Sequence, residues 1–172
     1  TNSANNFATV NVTNANDVSI TDSNGITLGA IAIGRDLTVN STGALSLGQG
    51  SIGRNLVANS NGGAITQDTT SGNFITVGGT ASITAGNNSI TLNQSGNNFT
   101  GAVSLSNSGT NNASVTDTNG LVLGGSTVGG TFTATADNIS GSGLVTAPTV
   151  DLNATTGITA NLAVSTISAD ST

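Results

Sequence analysis

The chain of 172 residues carries eight Asp and two Arg but no Lys, Glu or His, a formal net charge of −6. That balance speaks against nucleic acid, whose phosphates need clustered cations, and against electrostatic attachment to anionic membranes. No apolar run approaches the eighteen or so residues of a membrane span, so membrane insertion is not expected. The absence of Cys fits an extracellular chain that need not fold around disulfides.

Aromatic residues are 2% and charged residues 6%, while Gly and Asn number 24 each and Ser plus Thr 50. Disordered chains combine high charge with few β-branched residues. Here Val, Ile, Leu and Thr recur at alternate positions throughout, which is the strand pattern.

Taken in order, Val18-Ser19-Ile20 is the first clear strand, closed by Asp22-Ser23-Asn24-Gly25. Ile26-Thr27-Leu28, Ala30-Ile31-Ala32-Ile33 and Leu37-Thr38-Val39 follow as three short runs. Ile33-Gly34-Arg35-Asp36-Leu37-Thr38-Val39-Asn40-Ser41 then returns as Ile52-Gly53-Arg54-Asn55-Leu56-Val57-Ala58-Asn59-Ser60, nineteen residues on. A period near twenty built only of strand and turn is a solenoid signal. Leu37 is therefore expected to stack on Leu56 in the interior, and Asn40 on Asn59 at a corner, where amides can bond coil to coil.

Three strand types can be followed onward. The opening type continues as Leu45-Ser46-Leu47, Ile65-Thr66, Ile90-Thr91-Leu92 and Leu121-Val122-Leu123. The middle type continues as Ser51-Ile52, Phe74-Ile75-Thr76-Val77, the run from Phe99 to Leu105, and Thr127-Val128. The closing type continues as Leu56-Val57-Ala58, Ala81-Ser82-Ile83, Ala113-Ser114-Val115 and Phe132-Thr133-Ala134. Coils lengthen from residues 26–43 to residues 64–88, and the extra residues are expected to bulge as corner loops. After about Asp137 the pattern loosens, and Pro148 is placed at a corner because it cannot donate within a ladder.

A longer repeat overlies the short one. Ile20-Thr21-Asp22-Ser23-Asn24-Gly25-Ile26 matches Val115-Thr116-Asp117-Thr118-Asn119-Gly120-Leu121, and Asn6-Phe7 matches Asn98-Phe99. Residues 1–172 thus read as a single solenoid segment holding nearly two copies of a long unit, about 6–97 and 98–172, an excerpt of a longer chain. Asn-Gly between alternating runs is also the hairpin signal of an antiparallel sandwich. Such a sandwich buries large aromatics and has no cause to repeat a pentapeptide at a fixed spacing. The expected fold is all-β, a right-handed parallel β-helix of roughly seven to nine coils with about 19–25 residues each.

The stretch from Asn97 to Phe132, with Gly63-Ala64-Ile65-Thr66-Gln67 and Phe74-Ile75-Thr76-Val77-Gly78-Gly79, resembles the repeat region of filamentous-haemagglutinin-like bacterial adhesins exported by two-partner secretion. The resemblance implies a β-helical shaft, a secreted or cell-surface location, and a role in attachment, aggregation or biofilm. No cofactor is expected. The expected partners are neighbouring segments of the same protein or other copies end to end, with cell-surface or matrix polysaccharide beside them.

No catalytic constellation is expected. Enzymes on β-helices need paired carboxylates, cations or a metal along one face. Asp17 and Asp36 stack just before their strands, where Asp is a turn residue bonding nearby backbone. Asp22 and Asp117 open Asp-x-Asn-Gly turns that superficially resemble a calcium loop, but the closing Glu is missing. Arg35 and Arg54 are candidates for a weak surface contact, with acidic polysaccharide as the ligand class. Ice binding would need Thr-x-Thr at one register in every coil, and Asp36-Leu37-Thr38-Val39-Asn40 lacks it. The function expected is a non-enzymatic shaft; a self-assembling filament subunit and a carbohydrate-binding β-helix are the alternatives.

Overall fold

The alternation becomes, in a computed structural model that describes residue 2 and residues 4–171, nineteen strands and, among those residues, no helix. β1 (Thr9–Ala15) and β2 (Val18–Thr21) make the first turn, β3 (Ile26–Ile33) and β4 (Leu37–Asn40) the second. The third holds β5 (Leu45–Ser46), β6 (Gln49–Ile52) and β7 (Leu56–Asn59), and the fourth β8 (Ile65–Thr66), β9 (Ile75–Val77) and β10 (Ala81–Gly86). β11 (Ile90–Leu92), β12 (Asn98–Phe99) and β13 (Ala102–Asn107) form the fifth. β14 (Ala113–Thr116), β15 (Gly120–Leu123) and β16 (Ser126–Thr127) form the sixth. β17 (Thr131–Ser140), β18 (Leu144–Ile158) and β19 (Asn161–Ser171) then run round the remaining corners without a break.

Every pairing is parallel, each strand lying on its counterpart one turn away. The result is a parallel β-solenoid of about 9 turns with ~19 residues per turn. An antiparallel sandwich is thereby excluded. Leu37 faces Leu56 across β4 and β7, and both are buried.

Stacking of like residues builds the core. Ile26, Leu45, Ile65, Ile90, Ala113, Phe132 and Val150 form one buried column in unbroken register. A strand with one face inward buries every second residue, and the inward residues join a single hydrophobic cluster along the whole rod. Phe99 and Phe132 are the largest fully buried side chains and the others are Leu, Ile, Val and Ala in the main, which suits a narrow interior.

The fourth turn is the long one, since Ile65 faces Ile90 rather than a residue nineteen on. Its extra residues leave the wall as the loop between β8 and β9. Asp68 accepts the Thr70 N–H at 2.8 Å and the Asn73 amide at 2.7 Å, and Gly72 takes a φ of 86° at the tip. From β17 onward the solenoid tightens instead of loosening. Val145 pairs with Leu162, seventeen residues on, and the register continues to Ala154 and Ser171. Pro148 lies in β18 between Ala147 and Thr149, whose pairings with Val164 and Thr166 are intact.

One expectation needs correction. Ala113-Ser114-Val115 does not lie in the column of Leu37 and Ala81. It pairs with Ile90-Thr91-Leu92, and Phe132 pairs in turn with Ala113. Likewise Leu121 falls opposite Ile139 rather than in the column of Ile26. The two copies of the long repeat are therefore offset by four turns and one face. The shared motif specifies a corner, and it is seen at two different ones, after β2 and after β14.

Candidate functional site

The corner motif shows what its residues are for. Asp22 is buried, with Oδ1 accepting the Phe7 N–H at 2.7 Å and Oδ2 the Asn24 N–H at 3.1 Å. Asp117 repeats the arrangement, accepting Phe99 N–H at 2.6 Å and Asn119 N–H at 2.7 Å. Each carboxylate ties its own turn to the turn before it. Burial pushes the Asp117 carboxyl above the ordinary carboxylate value, the two N–H donors pull it down, and nearby Asp137 adds to the rise. Both oxygens of each carboxylate are thus engaged by backbone N–H groups.

A second carboxylate set runs down the corner before β4 and β7. Asp36 Oδ1 accepts both the N–H and the amide of Asn55 at 3.0 Å, and Asn55 Oδ1 accepts the N–H and hydroxyl of Thr80 at 3.0 Å. Arg54 donates its backbone N–H to the Arg35 carbonyl, so the two arginines sit one turn apart. Each reaches back a turn to a carboxylate: Arg35 Nε lies 3.4 Å from Asp17 and Arg54 Nε 3.8 Å from Asp36. Both side chains are about half exposed, at 51% and 53%. The Asn55 N–H foremost, then Arg54, holds the Asp36 carboxyl below its ordinary value.

Asn40 lies opposite Asn59, but the Asn59 amide oxygen turns into its own corner to accept the Asn61 N–H at 2.9 Å. Amides do bond from turn to turn elsewhere, Asn24 to Asn6 at 2.8 Å and Asn111 to Asn87 at 2.9 Å. Sequence reasoning missed the pair that matters most. Gln67 and Asn97, both buried, exchange two hydrogen bonds of 2.8 Å. Asn97 also accepts the Ile75 N–H at 3.1 Å and donates to the Leu92 carbonyl at 3.2 Å. The only signal was a Gln where Leu47 and Leu92 mark an inward column. Burying an amide costs several kcal/mol unless it is bonded, on the order of 2–7, so the pair fixes the inserted loop to the wall behind it.

That loop makes one side of a cleft of about 180 Å³, lined by Thr66, Gln67, Thr69, Thr91, Asn93 and Gln94. Gln94 Nε2 donates to the Asp68 carbonyl at 2.7 Å and holds the rim.

A family model described as Repeats of unknown function (DUF5649) matches residues 15–46, 34–106 and 110–169. The chain belongs to this family. The DUF5649 matches begin before β2, before β4 and before β14, hence at more than one face of the solenoid, in keeping with the offset of the long repeat. No curated protein and no solved structure matches the chain.

Proposed function

We propose that this DUF5649 solenoid is a non-enzymatic structural shaft of a surface-exposed or secreted bacterial adhesin, serving attachment, aggregation or biofilm. The observation that carries the reading is the unbroken register of one buried column through the turns. A solenoid contacts only its neighbouring turns and so extends without limit in one direction. Side-chain chemistry is committed to that extension: Asp17, Asp22, Asp36, Asp68, Asp117 and Asp137 each hold a turn or a neighbouring turn. The resemblance of residues 97–132 to filamentous-haemagglutinin-like repeats supplies the adhesin setting and the secreted location. The natural partners are adjoining segments of the same protein.

Electron microscopy of the purified segment tests the shaft. Isolated rods of roughly 40 Å, from about 4.8 Å per turn, agree with it; long fibres of uniform width would favour an end-to-end filament subunit. Deleting whole turns from the parent protein on living cells tests the adhesin role. Attachment that is unchanged when the shaft is shortened would sink it.

A further inference from the structure

Asn-Gly is a reactive pair as well as a turn signal, and Asn is among the thermally labile residues. The glycine nitrogen can attack the side-chain Cγ of the asparagine before it, because glycine carries no side chain to shield it. The peptide unit joining the two must first rotate to bring the nitrogen onto that carbon. A hydrogen bond at either end of the unit opposes the rotation. The chain has three such pairs, Asn24-Gly25, Asn61-Gly62 and Asn119-Gly120.

The structure sorts them. At Asn24-Gly25 the joining carbonyl accepts the Thr42 N–H at 3.2 Å, and the Asn24 amide is tied to Asn6 at 2.8 Å. At Asn119-Gly120 the carbonyl accepts the Asp137 N–H at 2.8 Å, and Gly120 already lies in β15, paired with Asn138. Asn61-Gly62 differs: among the described residues, neither the Asn61 carbonyl nor the Gly62 N–H bonds any group. The pair is the tip of a turn whose base is fixed. Ser60 is buried, its carbonyl accepts the Gly63 N–H at 3.3 Å, and its hydroxyl donates to the Gly63 carbonyl. Asn61 takes a φ of 50°, the single positive value outside glycine among the described residues, in the left-handed region that Asn tolerates. Gly62 takes 114°, and a Cβ there would meet nothing within 4 Å, so the tip has room to turn. The bond from the Asn61 amide to the Ser41 carbonyl, at 2.7 Å, holds the side chain and leaves the peptide unit free.

We propose that Asn61 is a site of spontaneous modification, losing its side-chain amide in the folded rod ahead of Asn24 and Asn119. The Gly62 nitrogen forms a bond to Asn61 Cγ and gives up its proton, the Cγ–Nδ2 bond breaks, and ammonia leaves a cyclic succinimide. Water then opens the ring at either carbonyl, giving an aspartate or, with one more carbon in the main chain, an isoaspartate. No electrons are exchanged, and one negative charge is added to the formal −6. The tip touches the turns on both sides, through the Ser41 bond and through the Asn88 amide, which donates to the Gly62 carbonyl at 3.3 Å. Loss of the Asn61 amide removes the first of these links, so the rod acquires a slow, irreversible mark at one corner. The inference goes beyond the shaft reading and does not depend on it. The test is peptide mass mapping of the whole 172-residue chain held in alkaline buffer, folded and, in parallel, in concentrated urea. In urea the three sites are expected to react at similar rates. In the folded chain Asn61 is expected to react about tenfold faster than Asn24 or Asn119, the factor that one hydrogen bond makes in a rate. Asn61→Gly, which accepts the same φ and has no amide to lose, is expected to remove the earliest acidic species seen on ion exchange. Equal rates at the three sites of the folded chain, a faster reaction at Asn24 or Asn119, reaction of Asn61 in urea only, or an early acidic species that survives in Asn61→Gly overturns the inference.

Discussion

Replacing Asp117 by Ala, and separately Asp22 by Ala, tests how the turns are tied together. The two carboxylates are alike in burial, at 3% and 1% exposure, and each accepts two backbone N–H groups. They differ in the residue they hold. Phe99 is 1% exposed, whereas Phe7 is 41% exposed. Without Asp117 the Phe99 N–H stays inside with no acceptor, a penalty of about 1–3 kcal/mol on top of a lost charged bond of about 1.5–3 kcal/mol, for a total near 2.5–6 kcal/mol. Without Asp22 the Phe7 N–H can turn to water, and the loss is the net value of bonds to a charged group, about 1.5–3 kcal/mol. Asp117→Asn keeps one acceptor oxygen and is expected to restore about half of the difference. Repeat arrays need not unfold in one step, so the measurement is native-state hydrogen exchange at the Phe99 and Phe7 amides. Equal losses at the two sites, or a larger one at Asp22, would refute the claim that the environment of the donor sets the cost.

Acid should act in opposite directions at different corners. The Asn55 N–H lowers the Asp36 carboxyl and the Thr70 N–H lowers that of Asp68, so their contribution is present above the ordinary value of 3.8 and is lost as pH falls through their folded values. Asp117 is raised by burial, so its ionised form is a cost that protonation relieves as pH falls through its folded value. A carboxyl NMR titration in which Asp117 does not titrate above Asp36 and Asp68 would contradict this. Gly48→Ala should cost more than about 3 kcal/mol: φ is 49°, and an added Cβ would collide with the Leu28 and Gly29 carbonyl oxygens. Gly125→Ala, which meets nothing within 4 Å, should stay within about 0.5 kcal/mol in urea unfolding. Arg35→Ala and Arg54→Ala should each change stability by less than about 0.5 kcal/mol, because both ion pairs are half exposed.

The period was legible because Ile33-Gly34-Arg35-Asp36-Leu37 recurs at one spacing, and that spacing placed Leu37 on Leu56. The long fourth turn was legible from its length. Face assignment failed from β13 onward: of the run from Phe99 to Leu105 read as the middle type, Val103 to Leu105 pairs with the closing strand at Ala81 to Ile83, and Val115-Thr116-Asp117-Thr118-Asn119-Gly120 was then followed as a strand type. The physics it encodes is a buried carboxylate gathering two N–H groups, and corners on different faces supply them, after β2 and after β14. The tightening after β17 escaped notice because the compact corners there carry few Asn-Gly signals. The cleft was not legible either: its floor depends on Gln67 meeting Asn97, thirty residues away, and nothing local in either segment announces the other.

The offset of the long repeat shapes how a shaft of this kind is seen from outside. Copies that advanced by whole revolutions would aim every equivalent patch at the same side, like teeth on a comb. Here the second copy lies one face round from the first, and copies added at the same offset would trace a spiral staircase. A lengthened rod would meet its surroundings from every direction, and a one-sided partner would touch only some of the copies.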